Sequence, residues 1–319
     1  MIREILEAVF FLVAGLVLLV KGADFFVDGS SSVAKMLKIP SIIIGLTIVA
    51  LGTSLPECAV SITASVTGNN ALAVSNAVGS NIFNLMVVCG ASALFTPLLV
   101  EKSTLKREFP FSVFCVVLLL VLGYAGMSLG RGDGLIIMAL FAGFLIWMVY
   151  SAQKARASAL AQEAESEGAT LPVWRCIIYI VGGAVAIKYG GDFVVDGASV
   201  IAAKMGLSQN LIGLTIVACG TSLPELVTSV VAARKNEVDM AVGNVIGSNV
   251  FNVLFVLGIA AAISPIAFVM ENVIDIAILV VFSVIVWVLC WTRQKLERKE
   301  GIFILFLYVI YLAYIVFRC

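Results

Sequence analysis

Residues 44–57 read IGLTIVALGTSLPE and residues 212–225 read IGLTIVACGTSLPE, one stretch occurring twice with a single change, Leu51 against Cys219. Each copy sets a carboxylate, two hydroxyls and a proline, the GTSLPE ending, inside a run that otherwise reads as membrane helix. A charge at the bilayer centre costs roughly 2.5–3.5 kcal/mol on insertion scales, so an acid held there twice needs a chemical reason.

The duplication extends outward from that stretch. Asp24 and Asp192, Glu57 and Glu225, and Asn84 and Asn252 all stand 168 positions apart, with no net insertion between them. Across residues 22–57 against 190–225, roughly 21 of 36 positions are identical, more than shared apolar composition produces. The chain is a duplicated pair of halves.

Composition places both halves in a membrane. The 319 residues are 61% hydrophobic and 13% charged, with a mean hydropathy of +1.12, against about a quarter charged in soluble domains. A net charge of zero argues against nucleic-acid binding or a polybasic membrane-surface arm. The first apolar run has no small-residue cleavage site and reads as a retained span. Seven scattered cysteines, at 58, 89, 115, 176, 219, 290 and 319, form no CxxC or metal-type spacing and read as buried free thiols. Without histidine there is neither an imidazole proton relay nor a His-ligated metal site. Any ion site must be built from oxygen.

At about 20 apolar residues per span, spans fall near residues 6–27, 40–66, 71–96, 109–127 and 133–153, then near 173–195, 208–234, 238–264, 271–292 and 300–317. The predicted fold is an all-α integral membrane protein of ten transmembrane helices, with helices broken at the midplane. It divides into a first five-helix repeat, 1–152, a linker, 153–171, and a second repeat, 172–319. Five is odd, so the second repeat enters from the opposite side and the repeats are inverted, a secondary-transporter architecture with its site at the repeat interface. Lys35, Lys38, Lys102, Lys106, Arg107, Lys154, Arg156, Arg234, Lys235, Arg293, Lys295, Arg298 and Lys299 share one side, against Arg3, Arg131, Lys204 and Arg318 on the other. The positive-inside rule then puts both termini outside and the linker in the cytoplasm of a multi-pass cell or inner-membrane protein.

Read as helix, GTSLPE puts Thr53 and Ser54 on the face of Glu57, with Ser61 one turn on, and does the same around Thr221, Ser222, Glu225 and Ser229. Pro56 and Pro224 free a carbonyl four residues back, near Gly52 and Gly220, and in lipid a free carbonyl needs a partner such as a cation. A second repeated motif, NAVGSNIFN at 76–84 and NVIGSNVFN at 244–252, sets Ser80 with Asn84 and Ser248 with Asn252 one helical turn apart. Its glycines, Gly79 and Gly247, admit a close helix neighbour. Carboxylates, carbonyls, hydroxyls and amides suit a hard cation such as Ca2+, which takes 6–8 oxygens, better than Mg2+, which demands octahedral geometry. One divalent ion cancels both glutamates; several Na+ ions or protons would do the same on shared ligands, so occupants exclude one another, as exchange requires.

At these motifs the sequence resembles the cation/calcium exchanger superfamily, specifically its prokaryotic sodium/calcium exchanger branch, over almost the whole chain. The resemblance implies a secondary antiporter, not an enzyme, that exchanges Ca2+ for Na+ by alternating access and needs no cofactor and no obligate protein partner. It implies Glu57 and Glu225 as shared ligands, backbone carbonyls of Thr53 and Thr221 on Ca2+, and Ser54, Ser222, Ser80 and Ser248 on Na+. Carbonyls of Ala50 and Ala218 would serve peripheral sodium sites, and the first and sixth helices would slide against the other eight. Asn84 and Asn252 depart from relatives that carry an aspartate at one of these places, which argues against K+ co-transport and leaves H+ as the alternative counter-ion, in a proton/calcium antiporter.

Competing readings assign the motif hydroxyls to back-bonding within their helices, the two asparagines to interhelical amide bonds, and the whole site to a gated cation channel. An intramembrane hydrolase would need a nucleophile and base or paired aspartates; the chain has no histidine, and its buried acids are glutamates among hydroxyls, which disfavour it. Asp24, Asp28, Asp192 and Asp196 read as local ion pairs with Lys21 and Lys188, or as an acidic entrance that concentrates cations, and Glu101, Glu108, Glu163, Glu165 and Glu167 read as solvated loop charges. GGA at 182–184 and GRGDG at 130–134 read as packing or turn elements.

Overall fold

Apolar runs of this length can satisfy their own backbone in lipid only as helices, and helices dominate the chain. The computed structural model describes residues 2–68, 70–161, 170–206, 216 and 218–318. Residues 162–169 of the predicted linker, with Glu163, Glu165 and Glu167, and nearly all of the second IGLTIV run lie outside the described residues.

In chain order the helices are α1 (Ile2–Leu37), α2 (Ser41–Thr53) and α3 (Leu55–Val66), which form one span bent by 50°, α4 (Leu72–Phe95), α5 (Lys102–Gly126), α6 (Arg131–Ala161) and α7 (Val173–Lys204). There follow α8 (Ala218–Gly220), α9 (Leu223–Arg234), α10 (Val238–Ile263), α11 (Met270–Arg293) and α12 (Arg298–Arg318). Among the described residues, eight helices are long and apolar enough to cross a membrane, nine with the bent pair.

Burial ranks them. α4 and α10 are 72% and 78% buried over their most apolar windows, against 22% for α1 and α7 and 17% for α12. The two helices that carry the GSN motifs are therefore the centre, and Ile82, Met86, Met240, Ile246 and Leu254 fill it. Phe10 and Ile146, about 70% exposed, face outward, where lipid tails replace water as their surroundings.

α1 and α7 pack along a seam of small residues spaced seven apart. Gly15 meets Gly190, Gly22 meets Gly183, Gly29 meets Cys176 and Gly197 meets Ala8; a Cβ at Gly15 would stand 2.7 Å from the Gly190 carbonyl. The partners run in opposite order along the two helices, so α1 and α7 are antiparallel. Each contact also recurs with its partners exchanged by the 168-residue offset, as a two-fold operation requires. Two small ladders follow the same exchange to within one residue: β1 (Leu98–Leu99) pairs with β4 (Lys295–Leu296), and β2 (Ser128–Leu129) pairs with β3 (Ile266–Ala267).

Several expectations change. α1 runs to Leu37 rather than ending near residue 27, because hydropathy reports where apolar side chains stop and not where helix does. Its Asp24 and Asp28 gain more than local lysines: Lys235, from the turn after α9, reaches both, at 3.4 and 2.8 Å, while Lys21 stands 3.9 Å from Asp24. In the same turn Glu237 accepts from Ser31, and from Ser41 at 3.0 Å. Glu108 is not a solvated loop charge: it begins the long part of α5, with Oε2 buried and unbonded. α6 continues to Ala161, into the predicted linker. The described cysteines are free and mostly buried, and Gly183 and Gly134 are packing elements, seated on α1 and α10.

A candidate cation site between the two halves

GTSLPE is not one helix. Its chain bends at Ser54, and Pro56 lies in the first turn of α3, where a proline's missing N–H costs nothing. Pro224 repeats this at the start of α9. The predicted stripe of Thr53, Ser54 and Glu57 along one helix face is therefore corrected: Thr53 closes α2, Ser54 is the hinge, and Glu57 opens α3. The bend turns the hydroxyls away from the glutamate of their own half.

They meet the other half instead. The Ser54 hydroxyl donates to Glu225 Oε1 at 2.8 Å, and the Ser222 hydroxyl donates to Glu57 Oε1 at 3.2 Å. Ser80 adds a 3.4 Å bond to Glu57 Oε1. Thr53 Oγ1 serves the Val49 and Ala50 carbonyls at 3.2 and 3.4 Å and Asn244 Oδ1 at 3.1 Å, so back-bonding claims part of it. The Ala50 carbonyl also takes the Ser54 N–H, at 3.0 Å. Ala218 stands at the equivalent place in α8. Glu57, Glu225, Ser54, Ser222, Asn84, Asn252 and Ser248 have no measurable exposure, and Thr53 and Ser80 have 1% and 3%.

The GSN motifs hold the site from the centre. π-helical turns begin at Asn84 (Asn84–Val88) and at Asn252 (Asn252–Val256), and a third, Gly45–Val49, precedes the bend in α2. Such turns displace the i→i−4 ladder and are frequent at functional sites. The reading of 76–84 as plain helix did not anticipate them.

Sequence reasoning also passed over four residues. Asn76 Nδ2 donates to the Glu57 carbonyl and Ser61 Oγ, at 3.1 and 3.0 Å, and Asn244 Nδ2 donates to the Glu225 carbonyl and Ser229 Oγ, at 3.5 and 2.9 Å. Asn81 and Asn249 bridge α4 and α10. All four recur at the 168-residue offset inside the quoted motifs, and an amide repeated within an apolar run is the signal that would have found them.

The bonding leaves a residue of unused acceptors. Among the described residues, Glu57 Oε2, Glu225 Oε2, Asn84 Oδ1, Asn252 Oδ1, Thr221 Oγ1 and Ser248 Oγ are buried with no hydrogen-bond partner. Buried polar atoms are nearly always paired, and an unpaired carboxylate oxygen is the costliest kind to bury. No group of three or more His, Cys, Asp or Glu gathers among the described residues, so only two acids and neutral oxygens are available. That donor set fits a hard cation and offers no soft ligand.

The sodium/calcium exchanger protein family matches residues 7–150 and 176–317, which together span most of both halves. The chain belongs to the sodium/calcium exchanger family. It is 45% identical over 265 residues to the putative antiporter CaxA of Alkalimonas amylolytica, covering 82% of each chain. It is 31% identical to the sodium/calcium exchanger MaX1 of Methanosarcina acetivorans, covering 95% of this chain and 96% of that one. The solved sodium-calcium exchanger NCX_Mj superposes with a TM-score of 0.84 at 32% identity, over 97% of this chain and 99% of that chain. This family member is a multi-pass, mostly helical membrane protein.

Proposed function

We propose that the protein is a secondary antiporter that exchanges Ca2+ for Na+ across the membrane by alternating access. The observation that carries this reading is the crossed pair, Ser54 on Glu225 and Ser222 on Glu57, which makes one buried site out of both halves beside acceptors that no donor fills. Ca2+ takes 6–8 oxygens in flexible geometry, and its two charges cancel two carboxylates that would otherwise be expensive to bury. Na+ ions on the same oxygens exclude Ca2+, and that exclusion couples the two fluxes. Relatives named as sodium/calcium exchangers support the choice of ions.

In this reading Glu57, Glu225, Asn84 and Asn252 supply side-chain oxygens, Thr53 and Thr221 supply carbonyls to Ca2+, and Ser54, Ser222, Ser80 and Ser248 serve Na+. Carbonyls of Ala50 and Ala218 serve peripheral sodium. The proposed layout has ten spans in two inverted repeats, 1–152 and 172–319, joined by a cytoplasmic linker, 153–171, with both termini outside the cell or inner membrane. The antiparallel α1–α7 seam and the exchange of partners at the 168-residue offset support it. No cofactor, enzymatic step or obligate protein partner is invoked; the partners are the ions and the bilayer.

Glu57→Gln and Glu225→Gln are each expected to abolish Ca2+ uptake driven by a Na+ gradient in proteoliposomes, with the protein still eluting as a single folded species. Full uptake by both variants would sink the assignment. H+ is the second candidate counter-ion, because amides at 84 and 252 leave two carboxylates as the acids of the site, and carboxylates accept protons. Ca2+ movement under a pH gradient without Na+ replaces the first reading with the second.

A further inference from the structure

An amide side chain has nearly the same shape either way round, so its hydrogen-bond partners decide which end points into a site. At a cation site the two ends are opposites, oxygen a ligand and NH2 a repelling dipole. Asn84 and Asn252 each turn one end to a bonded partner and leave the other unbonded.

The bonded ends trace back to backbone. Asn81 Nδ2 donates to the Asn249 backbone carbonyl at 3.1 Å, and a backbone carbonyl can only accept, so that end of Asn81 is nitrogen. Its other end, Oδ1, accepts from Asn252 Nδ2 at 3.1 Å, which leaves Asn252 Oδ1 as the unbonded atom. The mirror relay runs from the Asn81 backbone carbonyl, which accepts from Asn249 Nδ2 at 3.5 Å, through Asn249 Oδ1, which accepts from Asn84 Nδ2 at 3.2 Å, to the unbonded Asn84 Oδ1. All four asparagines are at most 1% exposed, so water cannot replace a lost partner. Turning any one amide over sets acceptor against acceptor or donor against donor.

We propose that Asn81 and Asn249 are positioning residues that fix the polarity of the site amides, so that the oxygens and not the NH2 groups of Asn84 and Asn252 face the transported cation. The proposal rests on the cation-site reading above. It assigns a second task to the same relay: a carboxylate at 252 would face Asn81 Oδ1, acceptor against acceptor, so the amides stay and the fixed charge of the site comes from Glu57 and Glu225. In this structure the residues that touch the ion and the residues that aim them sit on opposite halves, Asn81 aiming Asn252 and Asn249 aiming Asn84.

The test is a double-mutant cycle read by equilibrium binding of radioactive Ca2+ to the purified full-length protein in detergent. Asn252→Leu is expected to weaken binding about tenfold, the loss of roughly one ligand bond, and Asn81→Leu to weaken it by a similar factor. The double variant is expected to be no weaker than Asn252→Leu within about twofold, because residues that act through one another are not additive. The Asn249→Leu and Asn84→Leu cycle repeats the measurement independently, and Asn81→Ser replaces the leucine should that variant not fold. Factors that multiply in the double variants, or Asn81 variants that bind Ca2+ as wild type does, overturn the relay. Wild-type protein that binds Ca2+ but shows no Na+-driven uptake overturns the exchanger reading and leaves the cycle readable; wild-type protein that binds no Ca2+ overturns both.

Discussion

Thr53 and Thr221 are one residue in two copies of one motif, and they live differently. Thr53 is 1% exposed and bonded to Asn244, whereas Thr221 Oγ1 is buried with no partner among the described residues. The same holds along the motif: Glu57 Oε1 accepts from Ser222 and Ser80, Glu225 Oε1 accepts from Ser54, and Ser248, the counterpart of Ser80, bonds to nothing described. Packing follows suit. A Cβ on Gly45 would stand 2.6 Å from the Met240 carbonyl and one on Gly243 2.6 Å from the Ile42 carbonyl, so the first-half motif is seated closely on α10. Ser75 occupies the first-half position equivalent to Gly243. Among the described residues, the two halves share their ligand types but not their hydrogen bonding. Under alternating access that is expected, since a site that opens to one side at a time holds its halves unequally in any single state.

The comparison can be broken most strongly at the seat. Gly243→Ser copies the first-half residue into the second half and forces a side chain against the α2 backbone, at an expected cost of about 1–3 kcal/mol for overpacking. Ser75→Gly, the reverse copy, is expected to change stability by less than about 1 kcal/mol. Thermal melting in detergent reads both, and equal shifts would mean that the tight seat is not specific to one half.

The crossed serines come next. Ser54→Ala is expected to lower apparent Ca2+ affinity about three- to tenfold, and Ser222→Ala less, because Ser54 bonds Glu225 at 2.8 Å, whereas Ser222 bonds Glu57 at 3.2 Å and Glu57 also keeps Ser80. Binding of Ca2+ to the two variants ranks them; the reverse order contradicts the asymmetry.

A smaller effect separates the threonines. Thr53→Val breaks the bond to Asn244 and is expected to lower stability by about 1 kcal/mol. Thr221→Val removes a hydroxyl with no partner among the described residues and is expected to leave the melting temperature unchanged while altering ion affinity. Equal melting shifts would show that the two hydroxyls are bonded alike.

The smallest effect lies at the edge. Lys235 pairs with Asp24 and Asp28 on α1, while the first-half equivalent is Thr67, which carries no charge. Lys235→Thr makes the halves alike and is expected to cost about 0.2–1 kcal/mol, a loss that fades at high salt. Melting at low and high ionic strength checks both parts.

Much of this was legible in the sequence, for identifiable reasons. Membrane class and the positions of most spans follow from hydropathy, because lipid leaves helix as the backbone's way to satisfy itself. Glu57, Glu225, Asn84 and Asn252 stood out as polar residues repeated at one offset in apolar surroundings. What the pattern could not reveal was direction. Reading GTSLPE as continuous helix aimed Ser54 at Glu57; the 50° bend at Ser54 aims it at Glu225. Period alone likewise hid the π-helical turns at Asn84 and Asn252, since one widened turn leaves the polar spacing almost unchanged. Lys235 was counted as a loop charge because its partners on α1 are more than 200 residues away in sequence.

The sequence by itself determined the duplication, the membrane class, the oxygen-only chemistry and the two acids around which the halves meet, because each of these is a matter of residue type and repeat. Only the tertiary structure decided who partners whom: Ser54 with Glu225, Asn81 with Asn252, and the first-half motif with the backbone of α10. The physical reason is that two copies with the same side chains offer the same bonds within a half and across halves, and the choice between them rests on a bend of one hinge and the reach of a few ångströms that spacing along the chain does not encode.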